Sequence, residues 1–311
     1  MSTNESTWVS RSGRLAREFR RNGQVWLMLL PVLLYFAVFQ YGPMYGAIIA
    51  FKDYNPAQGI DGSAWVGWQW FSEFFNGLYF KRIVTNTLAI NLYDLAFGFP
   101  APIILALLLN ELTSIRFRRF VQTITYLPHF ISVVVVAGMM LDFLARDGVV
   151  NDLVAMLGGT RLDFMGDPTW FRGIYVGSEI WQSVGWGSII YLASMAGIDP
   201  SLYEAAKIDG ANRWQRVRYI TLPGILPVVM TMLVLRLGQM MTVGFEKIIL
   251  LYNPGTYETA DVISTFVYRR GILEANYSFG AAVGLFNAAV ALVLLVVANR
   301  LSKRITGNSV W

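Results

Sequence analysis

The run YSFGAAVGLFNAAVALVLLVVAN, residues 277–299, contains no charged side chain. A helix of this length is about 34 Å long at ~1.5 Å per residue, enough to cross a hydrocarbon core of about 30 Å. Other apolar runs of similar length occur, and the chain is 55% hydrophobic and 14% charged. A soluble domain is about 25% charged. The sequence therefore predicts an all-α polytopic membrane protein.

The hydropathy pattern predicts six transmembrane helices in one membrane domain, residues 25–299, between a basic segment, 1–24, and a tail, 300–311. Residues 1–24 are polar and the first apolar run is too long for a signal peptide, so we expect that run to stay as a membrane anchor. The predicted spans are Val25–Ala50, Val84–Leu109, Val121–Leu144, Ile174–Met195, Ile225–Phe245 and Tyr277–Asn299.

Basic residues predict the orientation of these spans. Most of the 25 Lys and Arg residues fall in the N-terminal segment, the second loop, the fourth loop and the C-terminal tail, although the other three loops are much longer. By the positive-inside rule, both termini and the fourth loop are cytoplasmic. The basic pI of 9.4 then reflects topology and contact with anionic lipid, not nucleic-acid binding. Arg11, Arg14, Arg17 and Arg21 share one predicted helix face at the membrane surface.

Metal and catalytic chemistry have little support in the sequence. The chain has no Cys and a single His, His129, directly after Pro128. A lone His without Cys or a second nearby His is a poor metal site. We therefore expect no metal site and no catalytic residue on this chain.

The fourth loop, residues 199–222, is polar and predicts two short helices. Asp199 and Pro200 are typical of a helix start, with an N-cap acid followed by Pro at the first helical position. Gly210 is suited to end that helix in the left-handed conformation. A second segment follows, with Trp214, Val217 and Ile220 three residues apart and basic residues on its polar side. From the residues alone, an interfacial linker that only joins two spans remains an alternative.

The 199–222 loop resembles the EAA loop in the membrane subunits of binding-protein-dependent ABC importers. Two other stretches, Leu30–Pro56 and Leu251–Asn287, are similar to the polysaccharide and oligosaccharide branch of that family, the lipoprotein-type sugar permeases. The residues that match the EAA pattern are Glu204, Ala205, Ala206, Asp209, Gly210, Ala211, Leu222, Pro223 and Pro227.

The resemblance implies a division of labour among subunits. In the family, the EAA helix docks in a cleft on a cytoplasmic ATPase, with Glu204 as the contacting acid and Gly210 as the break between the helices. This chain has no GxxxxGK[ST] phosphate loop, so ATP and Mg²⁺ are expected on a partner ATPase dimer and no cofactor on this chain. The resemblance further implies a second homologous permease, a lipid-anchored or periplasmic solute-binding protein and a bacterial inner-membrane location.

Three polar stripes in the predicted spans are candidates for the solute pathway, because charged groups within spans are costly and often functional. The alternative is that these groups pair with one another between helices, for example Arg236 with Glu179 or Asp94. The stripes comprise Asn91 and Asp94 (with Thr87) in span two, Glu179, Gln182, Ser183 and Trp186 in span four, and Arg236 and Gln239 in span five.

The predicted outer loops contain an aromatic run and a pair of arginines that are candidates for interfacial or partner contacts. The aromatic run Trp65–Phe75 is typical of an interfacial belt, with sugar stacking as the alternative. Arg269 and Arg270 are candidate contacts for the binding protein or the partner permease.

The function predicted from these features is a non-catalytic permease subunit of an ATP-driven oligosaccharide importer. One alternative keeps the importer but changes the solute to a peptide, phosphate or compatible solute. Another class is an intramembrane enzyme that uses Asp94, Asp142 and Glu179, which requires those carboxylates to be adjacent and hydrated. A pure channel is the last alternative, and it leaves the EAA pattern without a purpose.

Overall fold

The computed structural model describes residues 21–306 and is mostly helical. The chain divides into two compact units, Met1–Trp68 and Gln69–Trp311. Most of the predicted basic helix face (Arg11, Arg14 and Arg17) and the end of the tail lie outside the described residues.

The first unit is a long apolar helical segment followed by a small hairpin. Helix α1 (Gly23–Tyr35) continues through a π-helical turn (Phe36–Tyr41), α2 (Gly42–Met44) and a 3₁₀ segment (Tyr45–Phe51). Together they form a segment long and apolar enough to cross a membrane, as predicted for the first span. The hairpin pairs β1 (Lys52–Asp53) antiparallel with β2 (Ala64–Trp65) around α3 (Gly59–Gly62).

The second unit contains the remaining helices. They are α4 (Gln69–Asn76), α5 (Phe80–Tyr93), α6 (Pro100–Glu111), α7 (Ile115–Tyr126), α8 (Val133–Phe143), α9 (Val149–Met156), α10 (Pro168–Ala196), α11 (Pro200–Ile208), α12 (Arg213–Arg216), α13 (Leu222–Gly238), α14 (Phe245–Leu251), α15 (Tyr257–Ala260), α16 (Ile263–Val267) and α17 (Tyr277–Thr306). Short π-helical turns continue α5 (Asp94–Gly98), lead into α13 (Val217–Thr221) and continue α16 (Tyr268–Leu273).

Helix α10 lies at the centre of the second unit. It begins at an Asp167 N-cap, whose side chain accepts a hydrogen bond from the Thr169 N–H, and it has Pro168 at its first position. It packs along α6, α7 and α13. Gly185 is buried where α7 crosses α10, because a Cβ there would collide with the backbone of Thr125. This close approach fixes the two helices against each other.

Within residues 21–306, four helical segments are long and apolar enough to span a membrane, or five if one bent pair counts as a span. The four are Gly23–Phe51, Phe80–Glu111, Arg213–Gly238 and Tyr277–Arg304. Helix α10 has 29 residues but carries too many polar groups to qualify on hydropathy. Those polar groups belong to the predicted fourth span, and six spans remain a prediction.

The predicted third span, Val121–Leu144, is wrong as a single helix. Helix α7 ends at Tyr126, a 3₁₀ turn covers Leu127–Phe130, and α8 starts at Val133 with an axis bent by 99°. Ser132 caps α8 through the Val134 N–H. Pro128 has no N–H to continue the helical hydrogen bonds, Ile131 is extended, and Ser132 provides a new N-cap, so the chain turns here.

The predicted end of the fifth span at Phe245 is also wrong. Helix α13 ends at Gly238, and the chain is irregular until α14 begins at Phe245. In this gap the Gly244 N–H donates to the Tyr175 hydroxyl of α10, at 3.1 Å, instead of to a helix carbonyl. Glycines near both ends of the gap weaken the helix, and the contact with α10 satisfies the freed backbone.

Candidate functional site

Three cavities with shared walls surround the polar face of α10. Their volumes are about 320, 580 and 260 Å³, and Glu179 lines all three. Asp94 and Arg236 line the first and third, and the irregular segment between α13 and α14 lines all three. Irregular backbone at membrane depth is tolerated where it lines a cavity. The break in the fifth predicted span therefore contributes directly to the cavity walls.

The first charged pair in these walls joins α13 to the turn after α5. Arg236 donates from Nη2 to Oδ2 of Asp94. Asp94 is buried, with 10% of its side chain exposed, whereas 42% of the Arg236 side chain is exposed. Of the two pairings considered for Arg236 from the sequence, the structure contains the one with Asp94. The pair ties two helices together and leaves the guanidinium facing the cavity.

The second charged pair joins α14 to α10. The Lys247 ammonium lies 2.7 Å from Glu179 Oε2 and 3.0 Å from Gln182 Oε1. Only 3% of the Lys247 side chain is exposed, against 35% of Glu179. Gln182 also donates to the Ile131 carbonyl at the break between α7 and α8, at 2.9 Å. Lys247 thus fixes the polar stripe of α10 from one side and the α7–α8 break fixes it from the other.

An aromatic pair completes the wall. The His129 ring stacks on Trp186 with 4.7 Å between centroids and 3° between planes. His129 and Trp186 line different cavities of the three, and Phe130 packs edge-on against Trp186 at 5.6 Å. The single His of the sequence is therefore part of a flat aromatic surface.

The structure brings all eight predicted pathway residues to the cavities. Their contact with a solute stays a prediction. The first cavity is lined by Asp94, Glu179, Ser183, Trp186, Arg236 and Gln239, the second adds Gln182, and the third adds Asn91.

Lys247 is a buried, charged wall residue that the sequence does not predict. The predicted fifth span ended at Phe245, which placed Lys247 in an outer loop. The sequence feature that could indicate its burial is its position: Lys247 is a lone Lys beside the apolar stretch IILL, at the end of a predicted span.

A second polar cluster, centred on Asp261, connects α5 to the α15–α16 segment. Asp261 is fully buried. Arg269 donates from Nη1 to Oδ1 at 2.9 Å and from Nη2 to Oδ2 at 2.7 Å, and Arg82 donates to Oδ2 at 3.1 Å. Asn86 of α5 donates to the Asp261 carbonyl at 2.9 Å and accepts from Arg172 of α10 at 2.8 Å. The Asp261 cluster therefore locks three helical segments together.

The two neighbouring arginines of the predicted outer loop have different roles. Burial lowers the pKa of Arg269, but hydrogen bonds and charge interactions with Asp261 and Tyr252 together outweigh it and raise the pKa above the usual arginine value. Arg269 is thus fixed within the protein. Arg270 is partly exposed and pairs with Glu274 at 2.8 Å, so it is the better placed of the two for a partner contact.

The 199–222 loop has the two-helix structure expected from its sequence. Asp199 caps α11 by accepting from the Ser201 N–H at 2.9 Å, a bond that lowers the pKa of the Asp199 carboxyl. Gly210 has φ of +77°. The Ala211 N–H donates to the Ala206 carbonyl and the Gly210 N–H to the Lys207 carbonyl, at 2.8 and 3.1 Å. These two bonds form a Schellman motif, which requires the left-handed residue that glycine supplies.

The loop is anchored at its base and open at its tip. Tyr203 Oη and Thr221 Oγ1 are hydrogen-bonded at 3.0 Å, which ties α11 to the start of α13. Asn212 and Gln215 form a capping box at α12. Glu204 is exposed, and Ile208 has 87% of its surface exposed. The residues of the predicted EAA pattern therefore lie on or beside a rigid element with an accessible acid and an accessible apolar side chain.

A broken, polar-lined set of helices around a central helix, with a rigid two-helix loop, is typical of a transport protein of the membrane. Residues 98–307 match the family described as binding-protein-dependent transport system inner membrane component. The chain belongs to this family. It is accordingly an inner-membrane component of a transport system, not the ATPase subunit.

Named relatives and solved structures are similar over nearly the whole chain. The polygalacturonan/rhamnogalacturonan transport system permease protein YteP of Bacillus subtilis (strain 168) is 42% identical, covering 96% of this chain and 93% of that protein. Protein LplB of the same organism is 43% identical over 92% of this chain and 90% of LplB. A chain in the crystal structure of a bacterial alginate ABC transporter, in complex with an alginate pentasaccharide-bound periplasmic protein, has a TM-score of 0.89. It is 48% identical and covers 96% of this chain and all of that chain.

Proposed function

We propose that this chain is the permease subunit of an ATP-driven importer for an oligosaccharide, delivered by an extracellular solute-binding protein. The observation that carries the proposal is the meeting of eight polar and aromatic side chains around cavities at the centre of a transport-family fold. Oligosaccharides need hydrogen-bonding partners and flat apolar faces, and these walls offer carboxylates, amides, a hydroxyl and the indole of Trp186. Relatives named for polygalacturonan and alginate transport support a sugar as the solute.

The 199–222 loop is proposed as the contact with the partner ATPase. It presents Glu204 and Ile208 to solvent on a helix that is fixed to α13 through Tyr203 and Thr221. A rigid helix of this kind transmits the closure of an ATPase dimer as rigid-body motion of the helices attached to it. The positive-inside pattern supports a cytoplasmic position for the loop and both termini. A second permease would complete the pathway across the membrane.

The competing functions have weaker support. The enzyme alternative requires three carboxylates together, but Asp142 is exposed and lines none of the three cavities. Asp94 and Glu179, which do share a wall, are each paired with a cation. A peptide or compatible solute keeps the importer architecture and is distinguished from a sugar by the transport assay below.

The proposal is tested by purifying the tagged chain from its native membrane in mild detergent with nucleotide present, and identifying its partners by mass spectrometry. We expect a P-loop ATPase, a second permease and a solute-binding protein, and ATP-dependent oligosaccharide uptake after reconstitution in proteoliposomes. Recovery of the chain alone would contradict the importer assignment. Uptake of a peptide or a compatible solute, with no uptake of oligosaccharide, would contradict the sugar assignment.

A further inference from the structure

The two ion pairs of the cavity walls face the cavities in opposite ways. In the Arg236–Asp94 pair the acid is buried and the cation is exposed, with 10% and 42% of the side chains accessible. In the Lys247–Glu179 pair the cation is buried and the acid is exposed, with 3% and 35% accessible. The first pair therefore presents a guanidinium to a cavity, and the second presents a carboxylate whose charge is already balanced from behind.

Arg236 retains unused hydrogen-bonding capacity in this arrangement. Within residues 21–306 its guanidinium forms one ion pair, through Nη2 to Asp94. A guanidinium has five N–H donors in a planar fork, and this fork matches a carboxylate with two parallel bonds. Asp94 fixes the orientation of the group, so little side-chain entropy is lost when a second anion binds.

The Lys247–Glu179 pair keeps Glu179 from competing with a solute for the Arg236 guanidinium. Glu179 lines the same cavities as Arg236, and a free carboxylate there would compete for the guanidinium or repel an anionic solute. Lys247 holds Glu179 at 2.7 Å and holds Gln182, the next polar residue of the stripe, at 3.0 Å. Glu179 is thus neutralised by a buried ammonium, and Arg236 stays available to the cavity.

We propose that Arg236 binds a carboxylate of the solute, so that this permease is built for an acidic, uronate-bearing oligosaccharide. The inference rests on the function proposed above and names its solute class. Asp94 orients the guanidinium, Lys247 restrains Glu179, and Trp186 offers a flat face for a sugar ring in the same cavity of about 320 Å³. One named relative transports polygalacturonan, and the solved transporter imports alginate, an acidic polysaccharide. Both solutes match the charge of the site.

The test uses the complete complex in proteoliposomes and a matched pair of solutes, trigalacturonate and its methyl ester. The ester has the same size and sugar rings without the negative charges. Initial uptake rates are measured at saturating, solute-loaded binding protein. The stimulation of ATP hydrolysis by the loaded binding protein is recorded in parallel, because it reports docking and coupling independently of the solute contact.

Two variants test Arg236 without leaving a buried charge unpaired. The double substitution Asp94→Asn with Arg236→Gln removes both charges together, since removing one alone would strand the other. The single substitution Arg236→Lys keeps the ion pair but removes the planar fork. The control is Asp152→Asn with Arg161→Gln, which removes an exposed pair, joined at 2.6 Å, that lines none of the three cavities.

We expect wild-type complex and control to import trigalacturonate at least tenfold faster than the ester. In the double variant this preference should fall at least tenfold, and Arg236→Lys should lie between the double variant and wild type. Equal uptake of acid and ester by wild type, or an unchanged preference in the double variant, overturns the inference and leaves oligosaccharide import standing. Failure of the wild-type complex to import any oligosaccharide, charged or neutral, overturns the proposed function as well.

Discussion

The Lys247 ammonium, on the short helix after the break in α13, lies 2.7 Å from Glu179 Oε2 at the middle of α10. With 3% of its side chain exposed, Lys247 is one of the most buried charges in the second unit. The pair joins the segment after α13 to the central helix. It also balances the charge of a carboxylate that lines all three cavities.

Removing this ammonium alone should destabilise the permease. Lys247→Met leaves the Glu179 carboxylate without its partner in a low-dielectric setting, and we expect a loss of about 1–3 kcal/mol, less than for a fully buried pair because Glu179 is partly exposed. Thermal unfolding in detergent measures the loss. The double substitution Lys247→Met with Glu179→Gln should recover most of it. A double variant as unstable as the single one would mean that the ion pair is not the cause.

Loss of the Asp261 carboxylate should destabilise the permease more than loss of the Lys247 ammonium. Asp261→Asn breaks two ion pairs to a fully buried carboxylate, and we expect about 3–5 kcal/mol of destabilisation. The matched control is Glu274→Gln, which breaks the exposed Arg270–Glu274 pair one position along from Arg269. That exposed i,i+4 pair should contribute at most ~0.5 kcal/mol. Equal shifts in unfolding temperature for the two variants would contradict the structural role of the cluster.

The crossing of α7 and α10 depends on a glycine. Gly185→Ala places a Cβ against the backbone of Thr125, which has no flexible side chain to move away, so we expect a loss of about 1–3 kcal/mol. Gly177→Ala in the same helix has nothing within 4 Å of the new Cβ. It should be neutral or stabilising by up to ~1 kcal/mol through helix propensity. Unfolding temperatures in detergent distinguish the two variants. A larger loss for Gly177→Ala than for Gly185→Ala would contradict a close crossing of α7 and α10 at Gly185.

Gly210 tests whether the shape of the 199–222 loop matters for coupling. Gly210→Ala strains a left-handed residue by about 1 kcal/mol, which loosens the Schellman motif that sets the angle between α11 and α12. We expect fewer solute molecules imported per ATP hydrolysed, with the complex still assembled. Gly158→Ala is the control, because Gly158 also has a left-handed φ, of +85°, and lies away from the loop. Equal ratios of transport to hydrolysis in both variants would contradict a coupling role.

Much of the local structure follows from the sequence because it depends on short-range chemistry. The N-cap at Asp199, the left-handed Gly210 and the long apolar helices were all predicted from neighbouring residues. The stripe of Glu179, Gln182 and Ser183 was found by helical spacing. The breaks between α7 and α8 and between α13 and α14 are not predicted, because hydropathy does not distinguish a straight span from a bent one. Lys247 is buried against Glu179, 68 residues away in the sequence, and Asp261 is buried against Arg269, 8 residues away, and against more distant partners. A single sequence does not show that these residues meet.

The coupling role of the 199–222 loop is tested most directly by asking whether Glu204 is required for binding the ATPase subunit. Glu204 is exposed and, within residues 21–306, no hydrogen bond or ion pair of its side chain supports the fold. Glu204→Lys should therefore leave the free energy of unfolding within about 0.5 kcal/mol of wild type. Asp147→Lys, at an exposed acid in the α8–α9 loop, is the matched charge reversal.

Each variant is purified with its partners in mild detergent, and the ATPase that co-elutes is quantified. We expect Glu204→Lys to lose the ATPase and keep the second permease, and Asp147→Lys to keep both, like wild type. Full retention of the ATPase by a well-folded Glu204→Lys complex would contradict the proposed contact of the 199–222 loop with the ATPase.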